Sequence, residues 1–520
     1  MSHTNTIEHS GTTFRIGWRR AEAAIAVLAL FVAGLWNLGG PGVWWDEGWT
    51  MSVARNVAER GHYGRLLDGQ LAPPGLEAAF PVTAPIALCF QLFGVGIWQG
   101  RLFGVLCTVA ALALMYYLAL RLYNRAVAIG TLFVLLLMPM HAQLHALLVG
   151  RQALAEMPML FYLLAGYAAM LAALRRPLWL LPAMIIWGLT VISKAQVMPF
   201  WALSLLAPLG LAVLKRHWRE AGLFGAALVG SVLASKLWIV AYAVLLQGHT
   251  LPVEPISGLY EVLAQNTLPL TRWYALRNTL VFCSPVVCGL LYALWRSARS
   301  CEPGIDAARL ALMRLALLAL SGSWLLWFLL LSASLVRYMF PPAFIAALFL
   351  SAWLSDLTQG FDIRGTLGRA GSALSLRRLD RRTLGALLAI LVVTSTLPFG
   401  ILALYRNYSS DDSRAALQVA AMLNTQTPPG ARIETYESEL HFLLNRPYHY
   451  PPDQVHVDLN HRMLLDEHVT IAYDPLAADP DYLVVGTFAG WNGLYDPVIQ
   501  SGAFHLIDHV DSYDIYERVR

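Results

Sequence analysis

The chain has 520 residues, 57% of them apolar and only 13% charged. Ordinary soluble proteins are about one-quarter charged, so this composition excludes a soluble globular or disordered chain and predicts a polytopic membrane protein. A formal net charge of +4 is too small over this length to recruit nucleic acid, and the basic residues sit in short clusters between apolar runs, where they encode topology.

A helix needs about 20 apolar residues to cross the hydrocarbon core. The first such run, Ala21 to Gly39, follows Arg15, Arg19 and Arg20 and lacks a small-residue cleavage site. It reads as a retained span with a cytoplasmic N-terminus. Directly after it comes Trp44-Trp45-Asp46-Glu47-Gly48-Trp49, two adjacent carboxylates among three tryptophans. Residues 46 to 60 repeat Trp49, Val53 and Val57 at every fourth position, with Arg55, Asn56 and Glu59 facing elsewhere, the pattern of an interfacial helix. The stretch Ala84 to Val95 breaks the alternation of spans and is assigned as a second helix in or dipping into the interface.

Further runs lie near 101 to 120, 126 to 143, 157 to 174, 178 to 194, 197 to 214, 222 to 246, 276 to 295, 310 to 333, 336 to 354 and 384 to 404, which makes eleven predicted spans. The clusters Arg121/Arg125, Arg175/Arg176, Lys215/Arg216/Arg219, Arg296/Arg299 and Arg377/Arg378/Arg381/Arg382 all fall on the side of the N-terminus. An odd number of spans then leaves the C-terminus outside. From about Tyr405 the apolar runs shorten and Asp, Asn and Pro become frequent, with a helical piece at Ser413 to Leu423 and a β-rich one at Asp481 to Val485. The predicted organisation is a membrane domain over 1–404 and a small extracytoplasmic α/β domain over 405–520. Five cysteines (Cys89, Cys107, Cys283, Cys288, Cys301) show no metal-ligand spacing and read as packing residues.

Two readings of Asp46 and Glu47 stand side by side. Acids in a first helical turn cap the helix and complement its dipole. A carboxylate held at the membrane face among tryptophans can instead take a proton from an acceptor hydroxyl as a general base, the aromatics suiting the headgroup level and sugar stacking.

Several short motifs follow in order: His62-Tyr63-Gly64, then Phe93-Gly94-Val95-Gly96-Ile97-Trp98 with Arg101-Leu102, then Arg151 to Pro158, Gly188-Leu189-Thr190 to Lys194, and Arg337-Tyr338 with Pro341-Pro342. With the Asp-Glu pair opening the first external loop, their order resembles the GT-C glycosyltransferases, in particular the protein O-mannosyltransferases and the bacterial lipid A aminoarabinose transferases. The resemblance spans the whole chain. It implies an inverting enzyme that moves a sugar from a polyprenyl-phosphate donor to a lipid, glycan or protein acceptor outside the cytoplasm of a bacterial inner membrane.

Under this resemblance Asp46 is the catalytic base and Glu47 its tuning or orienting neighbour. Departure of the phosphate develops negative charge that fixed cations stabilise; Arg337 is the first candidate, with Tyr338 as hydrogen-bond donor, then Lys194 and Arg272. Snorkelling from a span end is the alternative for Arg337 and Lys194. Arg151 and Glu156 read either as an ion pair that shapes the site or as site-lining groups; the resemblance also places His62 and Tyr63 in the site lining. One departure stands out: relatives often carry Lys-Pro-Pro or Tyr-Pro-Pro at the start of the second interfacial helix, where this chain reads Ala79-Phe80-Pro81-Val82-Thr83-Ala84-Pro85, without the lysine.

His141 and His145, four apart, have no third ligand at readable spacing and are taken as satisfied polar residues rather than a metal pair. No cofactor is assigned, and a divalent metal has no support in the sequence. Lys236, deep in the seventh run, marks a functional hint without a partner. A transporter is the rival reading, weakened by the lack of an inverted repeat; a non-catalytic envelope scaffold is another, which would tolerate loss of Asp46.

Overall fold

The computed structural model describes residues 25–73, 75–76, 78–245, 257–299, 304–375 and 380–520. Arg15, Arg19, Arg20, Pro74, Cys301, Arg377 and Arg378 lie outside the described residues, as does the N-terminal sidedness read from the first three. Helix α1 (Ile25–Leu35) leads to α2 (Trp45–Arg60), the hairpin β1 (Leu66–Leu67) and β2 (Gln70–Leu71), and α3 (Phe80–Phe93). The membrane body continues with α4 (Ile97–Leu122), α5 (Arg125–Leu137), the short α6 (Ala146–Val149), α7 (Glu156–Ala173), α8 (Leu180–Ser193), α9 (Met198–Leu214) and α10 (Trp218–Leu245). It closes with α11 (Leu259–Ala264), α12 (Pro269–Arg299), α13 (Ile305–Leu330), α14 (Phe340–Leu357), α15 (Ile363–Leu374) and α16 (Arg381–Tyr408).

Among the described residues, eight helical segments are long and apolar enough to cross a membrane: α4, α7, α9 with its leading turn, α10, α12, α13, α14 with its leading turn, and α16. The other three predicted runs also carry helices, α1, α5 and α8, but shorter ones. α5 ends with Met138 as its cap, before Pro139, whose missing N–H cannot extend the helical hydrogen-bond ladder. At the centre stands α14, apolar all round and buried along Phe340, Phe344, Ile345, Leu348 and Phe349 against α5, α12, α13 and α16. The five cationic ends Arg121/Arg125, Arg175/Arg176, Lys215 to Arg219, Arg296/Arg299 and Arg381/Arg382 lie on alternate connections of the spanning helices, which puts them at one end of the body. Lys236 is exposed on the outer surface of α10, where the long stem can reach along the helix.

The remaining chain folds into an α/β layer: α17 (Arg414–Gln426), β3 (Ile433–Thr435), α18 (Ser438–Leu443), β4 (Tyr448–His449), α19 (Asp453–Leu465), β5 (Tyr482–Val485), α20 (Thr487–Asn492), α21 (Asp496–Gln500), β6 (Phe504–Val510) and β7 (Tyr513–Arg518). The sheet order is β4-β3-β5-β7-β6, parallel on the first side and antiparallel from β5 onward. Its core contains Trp45 and Trp49 of α2 beside Ile433, Leu440, Leu483 and Ile515. The other side of α2, with Met51 and Ala54, packs on Val82 and Ile86 of α3. The predicted interfacial helix therefore lies between two layers of protein. Asn56, expected on an open face, is buried and donates to the Gly64 carbonyl, while Arg55 reaches the carbonyls of Phe442 and Leu444 in the C-terminal layer.

Candidate active site

The first turn of α2 sends its two acids to different places, because successive side chains on a helix point about 100° apart. Glu47 is fully buried. Its carboxylate accepts from the Trp44 backbone N–H at 3.0 Å and the Ala153 N–H at 2.8 Å, and from Arg101 Nε and Nη2 at 2.9 and 3.0 Å. Arg101 spends its other donors on the carbonyls of Leu38, Pro41 and Gly42. All five guanidinium hydrogens are thus used, which is what a buried ion pair requires. Read from the sequence as the neighbour that tunes or orients Asp46, Glu47 has no open face and fixes the start of α2 on α4.

Beside Asp46 lies a recess lined by Trp44, Gln143, Gln152, Glu156, Phe340 and Arg337, the partner of Asp46. Its carboxylate is paired with the Arg337 guanidinium, which projects from the turn Val336–Met339 leading into α14. Beside this pair, Lys194 at the end of α8 meets Glu156 at the start of α7 at 2.6 Å. The Tyr338 ring lies 5.7 Å from both cationic groups. Four helix ends therefore bring two acids and two bases to one place, a balanced quartet. The Asp46 side chain is 38% exposed, yet the surrounding protein is dense. That crowding works to raise the Asp46 pKa; the Arg337 charge and hydrogen bond, joined by His456 and Lys194, outweigh it and hold the carboxyl below the usual range.

The other candidates are placed elsewhere. Arg151 does not pair with Glu156; it donates to the Asn37 carbonyl at 2.6 Å and lies 4.3 Å over the Tyr408 ring. Arg272 ties α12 to the end of α13 through the carbonyls of Phe328, Leu329 and Ser332. His62 is exposed and bonded to the Arg60 carbonyl, and Tyr63 donates to the Ala78 carbonyl while receiving the Thr83 hydroxyl, so both brace the segment between α2 and α3. His141 and His145 serve as caps, each accepting a backbone N–H two residues on. Among the described residues no three His, Cys, Asp or Glu side chains gather as a metal site.

The sequence reading missed what the C-terminal layer brings. The indole N–H of Trp45 donates to the Tyr436 carbonyl at 3.2 Å, and its ring stacks on His456 at 4.1 Å and 9°. Trp49 packs on His441 and Tyr450 beneath the Arg65 guanidinium, and Trp44 meets Phe488 edge-on. Two of the tryptophans expected at the headgroup level are thus buried under protein, at 5% and 3% exposure. Burial also lowers the His456 pKa, against the pull of Asp46. No local pattern signals the C-terminal partners, which lie about four hundred positions or more from α2.

Residues 80–240 match the family model described as dolichyl-phosphate-mannose-protein mannosyltransferase. No curated protein matches the sequence. Among solved structures, the fold is similar to ArnT from Cupriavidus metallidurans bound to undecaprenyl phosphate, with TM-score 0.63 at 15% identity over 97% of this chain and 98% of that one. The apo state of the same ArnT gives TM-score 0.62 at 16% identity over the same shares. The oligosaccharyltransferase AglB from Archaeoglobus fulgidus, in complex with an inhibitory peptide and a dolichol-phosphate, gives 0.57 at 13% identity over 98% of this chain and 75% of that one. These likenesses span membrane body and C-terminal layer alike, and with the helix order described above they show that the chain has the fold of the GT-C membrane glycosyltransferases.

Proposed function

We propose that this protein transfers a sugar from a polyprenyl-phosphate donor to a hydroxyl-bearing acceptor, with inversion, on the membrane face that carries the C-terminal layer. The observation that carries the reading is the Asp46–Arg337 pair set beside Lys194–Glu156 in a recess at the membrane-body end of a GT-C fold. Asp46 is ionised at neutral pH, because Arg337 holds its pKa down. The acceptor hydroxyl loses its proton to Asp46 as its oxygen bonds to the anomeric carbon. The bond from that carbon to the phosphate oxygen breaks, and the electron pair leaves with the lipid phosphate. Arg337 and Lys194 stabilise the charge that develops there. A phosphate that draws Arg337 away from Asp46 also raises the carboxylate's proton affinity, so donor binding readies the base. Tyr338 lines the cationic pair. The lysine missing before α3 is compensated in this reading by Lys194.

Both acids of the quartet are held by cations. The segregation of basic clusters to the opposite end supports an extracytoplasmic site. The bacterial inner membrane, the division into 1–404 and 405–520, and a lipid, glycan or protein acceptor belong to the same proposal. Asp46→Asn tests it: the amide keeps size and N-terminal helix compatibility but takes no proton, so turnover with a polyprenyl-phosphate sugar should fall by about 10² or more. Thermal stability should fall only by the modest amount a half-open ion pair contributes, so that folded protein remains for the assay. Transfer at the parent rate would overturn the base assignment, and a scaffold would show no dependence on this position at all.

A further inference from the structure

Trp45 adjoins Asp46, and the groups that fix it come from the C-terminal layer. Its indole N–H bonds to the Tyr436 carbonyl, its own carbonyl accepts the Ser438 hydroxyl at 2.5 Å, and its ring lies between Tyr436, at 5.6 Å, and His456. His456, on α19, is itself locked. The Asn460 amide nitrogen donates to its Nε2 at 3.0 Å, which leaves the hydrogen on Nδ1 to donate to the Tyr436 hydroxyl at 2.6 Å. This matters because α2 begins at Trp44, a residue with no side-chain acceptor for the orphan N–H groups of the first turn. The turn that carries Asp46 is held by Glu47 on one side and by Trp45 on the other.

Building on the proposed transferase reading, we infer that His456 and Tyr436 are positioning residues of the Asp46 site: acting through Trp45, they keep the first turn of α2 where Asp46 meets Arg337. The soluble layer is then part of the active site and not an appendage. The charged and titratable groups facing Asp46 are Arg337, Lys194 and Glu156 from the membrane body and His456 from the layer. Tyr436 also senses the Asp46 charge. Reacting groups must be held to a fraction of an ångström, and a displacement of about 1 Å costs on the order of 10²-fold in rate.

The test compares full-length His456→Ala, His456→Phe and Tyr436→Phe with the parent, each corrected for folded protein. With a polyprenyl-phosphate sugar as donor, His456→Ala should lower kcat about tenfold or more and leave the donor KM within about twofold, as expected when positioning rather than binding is lost. Its acid limb should move to higher pH, since a crowded carboxylate released from Arg337 binds its proton more tightly. His456→Phe keeps the ring and should fall between. If the alanine variant fails to fold, His456→Phe combined with Tyr436→Phe carries the same readouts. A second measurement needs no turnover: the thermal stability difference between the parent and its Asp46→Asn variant, followed against pH. A lowered Asp46 pKa gives stability present above the ordinary carboxylate pKa and lost as pH falls through the lower folded value. That difference should shrink in the His456→Ala background. Superimposable acid limbs and stability differences would overturn the inference. A parent that transfers no sugar from polyprenyl-phosphate donors would sink the transferase reading instead, while the stability arm still decides this one.

Discussion

Adjacent carboxylates in one helical turn have opposite roles here, and the difference is measurable. Removing the Glu47 charge leaves Arg101, at 1% exposure, without its counter-ion, and breaking a buried pair from one side costs about 3–5 kcal/mol. Glu47→Gln should therefore lower the thermal midpoint sharply, whereas Asp46→Asn, at a half-open ion pair, should lower it by less. Loss of activity in Glu47→Gln should follow loss of folded protein; an inactive but fully stable Glu47→Gln would return this residue to the chemistry. Arg337 makes a second contrast. In Arg337→Ala the charge that opposes crowding at Asp46 is gone, so the Asp46 pKa should rise and the acid limb of any residual activity should shift to higher pH. Arg337→Lys keeps a point charge without the planar fork and should lose less in turnover and shift less. A pH–rate profile of the two variants checks this, and an unchanged acid limb in Arg337→Ala would mean that Arg337 does not control the base.

At the scale of elements, α2 is the crossing point of the molecule, packed on α3 by one side and on α18 by the other. Gly48 makes the second contact: a Cβ there would strike the backbone of Ser438 and Glu439 as well as the Ser438 hydroxyl. Backbone cannot swing aside as a side chain does, so Gly48→Ala should push the two layers apart. The expected cost is about 1–3 kcal/mol, the usual range for overpacking, read as a lower thermal midpoint together with lower turnover per folded molecule; an unaffected variant would show that the layers separate freely. This geometry also explains what the sequence could disclose. Helices were legible because apolar runs and basic clusters are local signals, and Asp46, Glu156, Lys194 and Arg337 were reachable because each stands at a helix end beside a short motif. The burial of α2 was not. Its Trp49-Val53-Val57 stripe describes one apolar face, while Asn56 and Arg55 are satisfied by Gly64 and by the carbonyls of Phe442 and Leu444, contacts no period encodes. The pairing of Arg65 with Asp453, bidentate at 2.7 Å and joining the β1 hairpin to α19, was hidden for the same reason.

Across the whole molecule, charge is sorted by end. Arg121, Arg125, Arg175, Arg176, Lys215, Arg216, Arg219, Arg296, Arg299, Arg381 and Arg382 gather on the connections at one end of the helical body. The cations at the other end are engaged, Arg101 with Glu47, Lys194 with Glu156 and Arg337 with Asp46. Positive charge in short loops is retained on the cytoplasmic side during insertion, because short basic loops resist translocation. Under the proposed function, the end that carries Asp46 and the C-terminal layer is the outer one. Helix α15, whose Ile363, Leu367 and Leu374 are exposed beside Arg364 and Arg369, suits the inner interface, apolar side in lipid and basic side in water. Single cysteines test this in a background whose five native cysteines are replaced. Gly371→Cys, on α15, should resist an impermeant thiol reagent in intact cells and react once the membrane is opened, and Asn492→Cys, at the end of α20, should react in both conditions. The reverse pattern would place Asp46 on the cytoplasmic side, so that the acceptor would have to be a cytoplasmic molecule and the donor an inward-facing lipid phosphate.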